Sequence, residues 1–396
     1  MAVSPLGFTE SIKNIVADKV ASWNARVEKS ICYIVNMPKI IVGMSGGVDS
    51  SVTAYLLKER GYEVEGVSFL MWEAMSTELS ACCSLKTTAE AAKTAGLLGI
   101  RHATVDVRDD FKEKVVKPFA DAYLAGLTPN PCVLCNRFIK FPYLLREAER
   151  RGAECVATGH YARVDASLSS EGDAFLLRKG VDPKKDQSYV LYTLGQEELR
   201  RLILPLGNFR KSDVRDLARS LDLPCADQPG SQEICFVEDR NYLAFIEKIS
   251  PLNAGPGPII DACDRIVGTH KGIYGYTIGQ RKGLGISSPE PLYVIDTDIR
   301  KNTVYVGPRD SAKKREFLVE DLNWIIPPAS DDFRALVKIR STMKEEPANI
   351  TLVRTLSLVK VSVVFDEPQW APAPGQSAVF YDGDKVMGGG VIKKSI

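Results

Sequence analysis

Two sets of residues in this sequence carry chemistry by type and spacing. The first is Gly43-Met44-Ser45-Gly46-Gly47-Val48-Asp49-Ser50-Ser51. Glycines let backbone N–H groups come close to an anion, and a helix starting within the run adds positive potential. Ser45, Ser50 and Ser51 add hydroxyl donors. Asp49 is acidic where phosphate should bind, which makes sense if it holds Mg2+. No Gly-Lys-Ser/Thr follows, so this is not a Walker A element. A ligand-free Gly/Ser turn is the plainer alternative. The composite SGGVDSS between an apolar strand and a helix favours a nucleotide.

The second set is sulfur. Thr128-Pro129-Asn130-Pro131-Cys132-Val133-Leu134-Cys135 holds two thiols in a stretch rigidified by two prolines. A third thiol stands in Ser231-Gln232-Glu233-Ile234-Cys235-Phe236. CxxC alone is compatible with zinc, thiol–disulfide exchange, an iron–sulfur centre or chance. A CxxC–CxxC zinc site lacks its second pair here. A thioredoxin-type pair would open a helix directly after a strand, whereas this pair follows a helix. Two near thiols plus one distant thiol is the pattern that fits, against three buried structural thiols as the bland reading. Cys82-Cys83 read as loop thiols, Cys155 as a small buried residue, and Cys32, Cys225 and Cys263 receive no role.

These groups need a scaffold, and the pattern predicts one. Strands over 39–44, 63–72, 102–107 and 155–160 alternate with helices over 48–61, 87–98, 110–124 and 137–151, as βαβ units of a parallel sheet do. Further helices are expected over 214–221 and 239–249, with a hairpin strand over 174–180. Gly255-Pro256-Gly257-Pro258 is a strong break. Beyond it, β-rich runs over 292–296, 303–307, 334–340, 350–364 and 378–381 predict an all-β barrel. The fold class is therefore α/β, with a parallel-sheet domain, a small central module and a C-terminal barrel. The expected domains are 37–202 plus 227–244, 203–226 plus 245–312, and 313–396, after an extension 1–36 of helical periodicity.

The composition is that of an ordinary globular chain, with 396 residues, 45 % apolar and 26 % charged. Its 51 basic and 50 acidic residues leave a net charge of +1, which excludes a globally basic nucleic-acid glove but not a local basic face. Local positive charge lies at Arg178–Lys185, Arg200-Arg201, Arg210-Lys211 and Arg281-Lys282. Each of these alone is more often a solvated surface. No run nears the roughly 18 apolar residues of a membrane span, and no secretory signal is apparent at the start. Nine cysteines are too sparse for a disulfide scaffold, and a cytoplasmic protein with no membrane partner is expected.

The loop SGGVDSS resembles the PP-loop of ATP pyrophosphatases. That resemblance implies attack at the α-phosphate of ATP with release of pyrophosphate. GMSGGVDSS, TPNPCVLCN, ATGHYAR, KDQSY, GSQEICF, GQRKGLGI and PGQSAVFYDGDKVMGGG occur in this order. Over 37–396 the chain thereby resembles the bacterial tRNA-specific 2-thiouridylase family. The resemblance implies a reaction in which ATP adenylates the C2 oxygen of the wobble uridine in tRNAs for Lys, Glu and Gln. Sulfur then replaces that oxygen.

By the same resemblance, Cys135 is the nucleophile and Cys235 carries a persulfide. That persulfide is fed by a sulfur carrier protein or a cysteine desulfurase relay. Gly43, Met44, Ser45, Gly46, Gly47, Val48, Asp49, Ser50, Phe69 and Gly159 would bind ATP, with Mg2+ on Asp49. His160, Lys185, Asp186, Gln187, Arg340, Ser341 and Gln376 would contact the tRNA. One departure stands out, because many members carry Asp where this chain has Cys132. An acid–base role therefore does not transfer. Cys132, Cys135 and Cys235 instead resemble the three-cysteine site of cluster-dependent thiolases, where a [4Fe–4S] cluster binds sulfide. Cysteine identity decides neither route. The rivals are another adenylating PP-loop enzyme, such as an amidotransferase-type synthetase, and a non-catalytic RNA-binding protein.

Overall fold

The computed structural model describes residues 38–72, 84–169, 172–228, 234–237, 241–249, 255–354 and 359–393. The extension 1–36, Cys32, and Cys82-Cys83 lie outside them. The chain divides into two compact units. The first holds residues up to 112, 133–238 and 384–386. The second holds 113–132, 239–383 and 387 onward.

The first unit is built on β1 (Lys39–Gly43), α1 (Val48–Glu59), β2 (Glu63–Leu70), α2 (Leu85–Leu97) and β3 (Arg101–Asp106), with β4 (Cys155–Ala157) and β7 (Leu202–Ile203). These strands form one sheet in the order β3-β2-β1-β4-β7, and every neighbour is parallel. Ile40, Ile41 and Val42 are all fully buried, as a central parallel strand covered on both faces requires. The strand order turns back at β1. The crevice beyond the carboxyl ends of β1 and β4 is therefore the topological switch point, where open α/β sheets place ligands.

Short helices α3 (Arg108–Phe111), α4 (Lys117–Leu124) and α5 (Pro131–Cys135) follow β3, and α6 (Phe141–Arg150) leads into β4. A hairpin of β5 (Ala162–Ser169) and β6 (Gly172–Lys179), then α7 (Gln196–Arg200), leads to β7, and α8 (Lys211–Ser220) comes after it. The stretch 203–226, grouped from the sequence with 245–312, sends Leu206, Phe209, Val214, Leu217 and Cys225 into the core that also contains Val52 and Leu56. At the amino end of the sheet, Glu65 pairs with Lys39 at 3.2 Å and with Arg151. Glu147 pairs with Arg150 at 2.8 Å and Arg151 at 2.9 Å. That end is charge-stapled, which leaves the carboxyl end for chemistry.

In the second unit, α4 is followed by α9 (Tyr242–Ile249), with Tyr123 and Tyr242 rings 4.9 Å apart. A four-stranded sheet in the order β10-β11-β8-β9 comes from β8 (Gly257–Ile260), β9 (Ile266–His270), β10 (Tyr293–Asp298) and β11 (Thr303–Gly307). The remaining strands are β12 (Lys313–Trp324), β13 (Asp332–Lys338), β14 (Glu346–Arg354), β15 (Val359–Trp370), β16 (Ser377–Asp382) and β17 (Lys385–Ile392). They run β12-β15-β14-β13-β16-β17, and β12 also pairs with β17, which closes the barrel. Phe317, Val361, Val363, Phe365 and Phe380 fill it.

Candidate functional site

The site is assembled where β1, β2 and β4 end. After Gly43 the chain turns through Ser45 to Gly47 and enters α1, whose N-cap Gly47 makes no side-chain capping bond. The first-turn N–H groups of α1 are thus left for an anion. Gly46 sits at φ +80°, and a Cβ there would lie 2.4 Å from the Thr87 carbonyl oxygen. The loop holds its own shape, because Ser50 Oγ accepts from the Ser45 N–H at 3.1 Å and donates to the Gly47 carbonyl at 3.0 Å. Ser51 also donates to Gly47 O at 3.0 Å and is fully buried, so its hydroxyl faces the core and not a phosphate.

A cavity of about 170 Å3 opens beside this loop. Of the residues expected to bind ATP, Gly43, Met44, Ser45, Asp49, Ser50, Phe69 and Gly159 line it. Gly46, Gly47 and Val48 shape the loop behind it. Gly159 is required by packing, since a Cβ there would meet Asp49 C at 2.8 Å and Ser50 N at 2.9 Å. The backbone it lets approach is the loop's own. Asp49 receives Lys211 Nζ at 2.6 and 2.7 Å and the Tyr161 hydroxyl at 2.7 Å. Mg2+ on Asp49 would therefore take the place of the Lys211 ammonium. Burial, then the Asp49 charge, push the Tyr161 phenol well above its ordinary range, so it stays a donor.

His160 and Gln187 also line the cavity. His160 Nδ1 lies 2.7 Å from Thr158 Oγ1, and the imidazole stacks on Phe141 at 5.9 Å between centroids. Burial first, and the Lys140 charge second, lower its pKa to about 3, so the ring is neutral. Gln187 Oε1 accepts from the Tyr161 N–H at 3.0 Å. Lys185 and Asp186 do not line the cavity. Asp186 accepts from Gly180 N at 3.0 Å and from Ser188 N and Oγ at 3.1 and 3.0 Å, which stabilises the turn.

The CxxC pair lies on a helix, α5, and the proline-rich loop ends at Asn130, whose Oδ1 accepts from Cys132 N at 3.1 Å. Pro131 suits the first helical position because it has no N–H to leave unpaired. The sequence placed the pair in a loop, since a five-residue helix has no readable periodicity. Cys132 is exposed and Cys135 is 6 % exposed. Cys135 Sγ lies 4.0 Å from Met71 Sδ, and Met71 lines the cavity. Beside Cys235, Phe236 is buried against Trp72 at 6.3 Å and Phe111 at 5.6 Å. The Cys135 thiol and the Cys235–Phe236 segment thus both reach the end of β2, at Met71-Trp72. Among the described residues no group of three His, Cys, Asp or Glu side chains could hold a metal ion.

In the second unit, an Arg340 terminal nitrogen donates to the carbonyls of Ile278 and Ala371 at 3.1 and 2.9 Å, and Gln376 Nε2 donates to Thr128 O at 2.9 Å. Ser341 is exposed. The sequence reading missed Met71, Lys140, Tyr161, Lys211 and Cys225. Cys225 Sγ lies 3.4 Å from Ser51 Oγ behind the loop, and burial raises its pKa.

The sequence matches three family models: tRNA methyl transferase HUP domain over 38–239, tRNA methyl transferase PRC-barrel domain over 244–308, and aminomethyltransferase beta-barrel domain over 314–392. It is 49 % identical to tRNA-specific 2-thiouridylase MnmA 1 of Caldanaerobacter subterraneus subsp. tengcongensis, covering 90 % of this chain and 98 % of that relative. It is 44 % identical to tRNA-specific 2-thiouridylase MnmA of Clostridioides difficile, covering 90 % and 99 %. A solved structure of the U34-tRNA thiolase NcsA from Methanococcus maripaludis with its [4Fe-4S] cluster aligns with TM-score 0.38 and 19 % identity, covering 61 % of this chain and 73 % of that one. No helix among the described residues is long and apolar enough to cross a membrane.

Proposed function

The chain belongs to the tRNA-specific 2-thiouridylase family, and from that premise we propose that it adenylates the C2 oxygen of a tRNA wobble uridine with ATP and replaces that oxygen by sulfur. The observation that carries this reading is the Cys135–Met71 contact, which puts a thiol one side chain from the nucleotide cavity. Two of the matched family models carry methyl-transfer descriptions, whereas the relatives that span 90 % of this chain are tRNA-specific 2-thiouridylases.

The uridine oxygen attacks the α-phosphorus of ATP, the bond to the β-phosphate oxygen breaks, and pyrophosphate leaves. The loop N–H groups and the start of α1 hold the leaving phosphates. Asp49 would hold Mg2+, which supplies positive charge for their departure. The terminal sulfur of a Cys235 persulfide then attacks C2, and the C2–O bond breaks to release AMP. The Cys135 thiolate attacks Cys235 Sγ, freeing 2-thiouridine and leaving a Cys135–Cys235 disulfide. A dithiol reductant regenerates the thiols, and a persulfide carrier reloads Cys235. We route no step through a cluster, and Cys132 keeps no assigned step. His160, Lys185, Asp186 and Gln187, with Arg340, Ser341 and Gln376 on the barrel unit, are proposed to meet the anticodon arm of tRNAs for Lys, Glu and Gln. The reaction is placed in the cytoplasm.

The test is mass spectrometry of tRNA after incubation with ATP, Mg2+ and a persulfide donor, on protein purified anaerobically and assayed for iron and sulfide. Iron-free protein should form 2-thiouridine. Activity only in iron-loaded protein would replace the persulfide route, and formation of no 2-thiouridine in either state would end the proposal.

A further inference from the structure

The cavity contains one charge that the reaction above leaves unused. Lys140 is the only lysine or arginine among the described residues that line it. It ends the π-helical turn Asn136–Lys140, which starts directly after Cys135. In an α-helix the residue stacked one turn on is the fourth, whereas π hydrogen bonding runs to the fifth. Lys140 is the fifth residue after Cys135. The π-turn shifts Lys140 by part of a turn from its place on a regular helix, and in this arrangement its side chain lines the cavity. Such turns weaken the helix and concentrate at functional sites.

Charge accounting points the same way. Attack on the α-phosphorus spreads negative charge over its oxygens, and a positioned cation is the usual answer. Lys211 sits on the Asp49 carboxylate at 2.6 and 2.7 Å and does not line the cavity. His160 is neutral and brings no charge. The backbone donors of the loop follow β1 and serve the leaving phosphates.

We propose that Lys140 is the charge partner of the α-phosphate: it stabilises that group as pyrophosphate leaves and then holds AMP as a leaving group while sulfur attacks C2. This inference rests on the adenylation reading.

The test uses the full chain with tRNA, comparing wild type, Lys140→Met and Lys140→Arg. It measures ATP affinity by equilibrium binding, tRNA-dependent pyrophosphate release in a single turnover, and the His160 imidazole nitrogen shifts by NMR. Lys140→Met should slow pyrophosphate release by about 100- to 1,000-fold, the usual cost of losing one transition-state charge donor. ATP affinity should change far less than the rate. Lys140→Arg should recover much of the rate. The His160 titration should move up in the Met variant, which reports that the ammonium lies beside the cavity, while the rate loss without a matching affinity loss reports its role. If the Met variant fails to fold, Lys140→Gln replaces it under the same expectations. Wild-type pyrophosphate release in Lys140→Met, or a rate loss no larger than the loss of ATP binding, overturns the inference while leaving adenylation intact. No tRNA-dependent pyrophosphate release from wild type would remove the adenylation reading itself, and the role of Lys140 with it.

Discussion

The two units bury their polar groups differently. In the first, Ser50, Ser51, Thr158 and His160 are all under 9 % exposed and cluster around the carboxyl ends of β1 and β4. In the barrel, the enclosed side chains of β12, β15 and β16 are Phe317, Val319, Val361, Val363, Phe365 and Phe380, with Trp324 stacked on Phe380 at 5.4 Å. Buried hydroxyls and imidazoles cost stability unless they are paired, so a site that keeps several is organised for more than stability. The barrel buries Lys338 and Ser377 as well, but the side chains that fill its centre are apolar and organised for packing. The contrast separates a unit whose carboxyl edge performs chemistry from a closed sheet that supports a surface.

The largest expected effect tests the sulfur half of the first unit. Cys135→Ser and Cys235→Ser should each reduce 2-thiouridine formation below detection by mass spectrometry, because a hydroxyl neither carries nor resolves a persulfide. Both should still release pyrophosphate in the presence of tRNA. Undiminished thiolation by either variant would remove its assigned role. Next in size is Asp49→Ala, which should lower pyrophosphate release by about two orders of magnitude, because the Mg2+ that Asp49 would hold against the leaving phosphates is lost. Equal rates in wild type and variant would show that the Lys211–Asp49 pair is a structural staple.

These positions differ in how legible they were. The strand–loop–helix at Lys39–Glu59 and the alternation to β4 could be read because apolar β-branched runs and helical periodicity are strong local signals. β12 was not foreseen: KKREFLVEDLNW opens with charged residues, and its inward alternation begins only at Phe317. The run 350–364 read as one strand but divides into β14 and β15, which pair antiparallel. The loop and thiols of the site were legible because their chemistry is in their residue types. Lys140, Tyr161 and Lys211 were not, because their roles arise from the π-turn and from contacts with Asp49 across 112 and 162 positions.

The barrel supplies the opposite test. Phe380 is fully buried, so Phe380→Ala should destabilise the protein by about 3–5 kcal/mol, through lost burial plus the cavity left behind. Thermal unfolding followed by circular dichroism should report it. Below the lowered melting range, ATP affinity should be unchanged, since the nucleotide cavity belongs to the other unit. Loss of ATP binding in the folded variant would break the division of labour.

The smallest effect concerns the sign of a proton linkage. His160 has its pKa lowered to about 3 by burial first and Lys140 second, against 6.5 when unhindered. The unfolded chain therefore binds a proton below pH 6.5 that the folded chain refuses until about pH 3. Stability from this group is fully present above 6.5 and declines as pH falls through that window, by up to about 1.4 kcal/mol per pH unit. His160→Gln removes this linkage along with the Thr158 contact. The variant should be less stable than wild type at pH 7.5, and the gap should narrow steadily below pH 6.5 in urea titrations. Carboxylates titrate in both proteins and cancel in the difference. If the two stability profiles run parallel from pH 7.5 to 4.5, the imidazole is not held neutral by the fold. The polar cluster of the first unit would then be more solvated than its burial implies, and the contrast with the barrel would weaken at its imidazole.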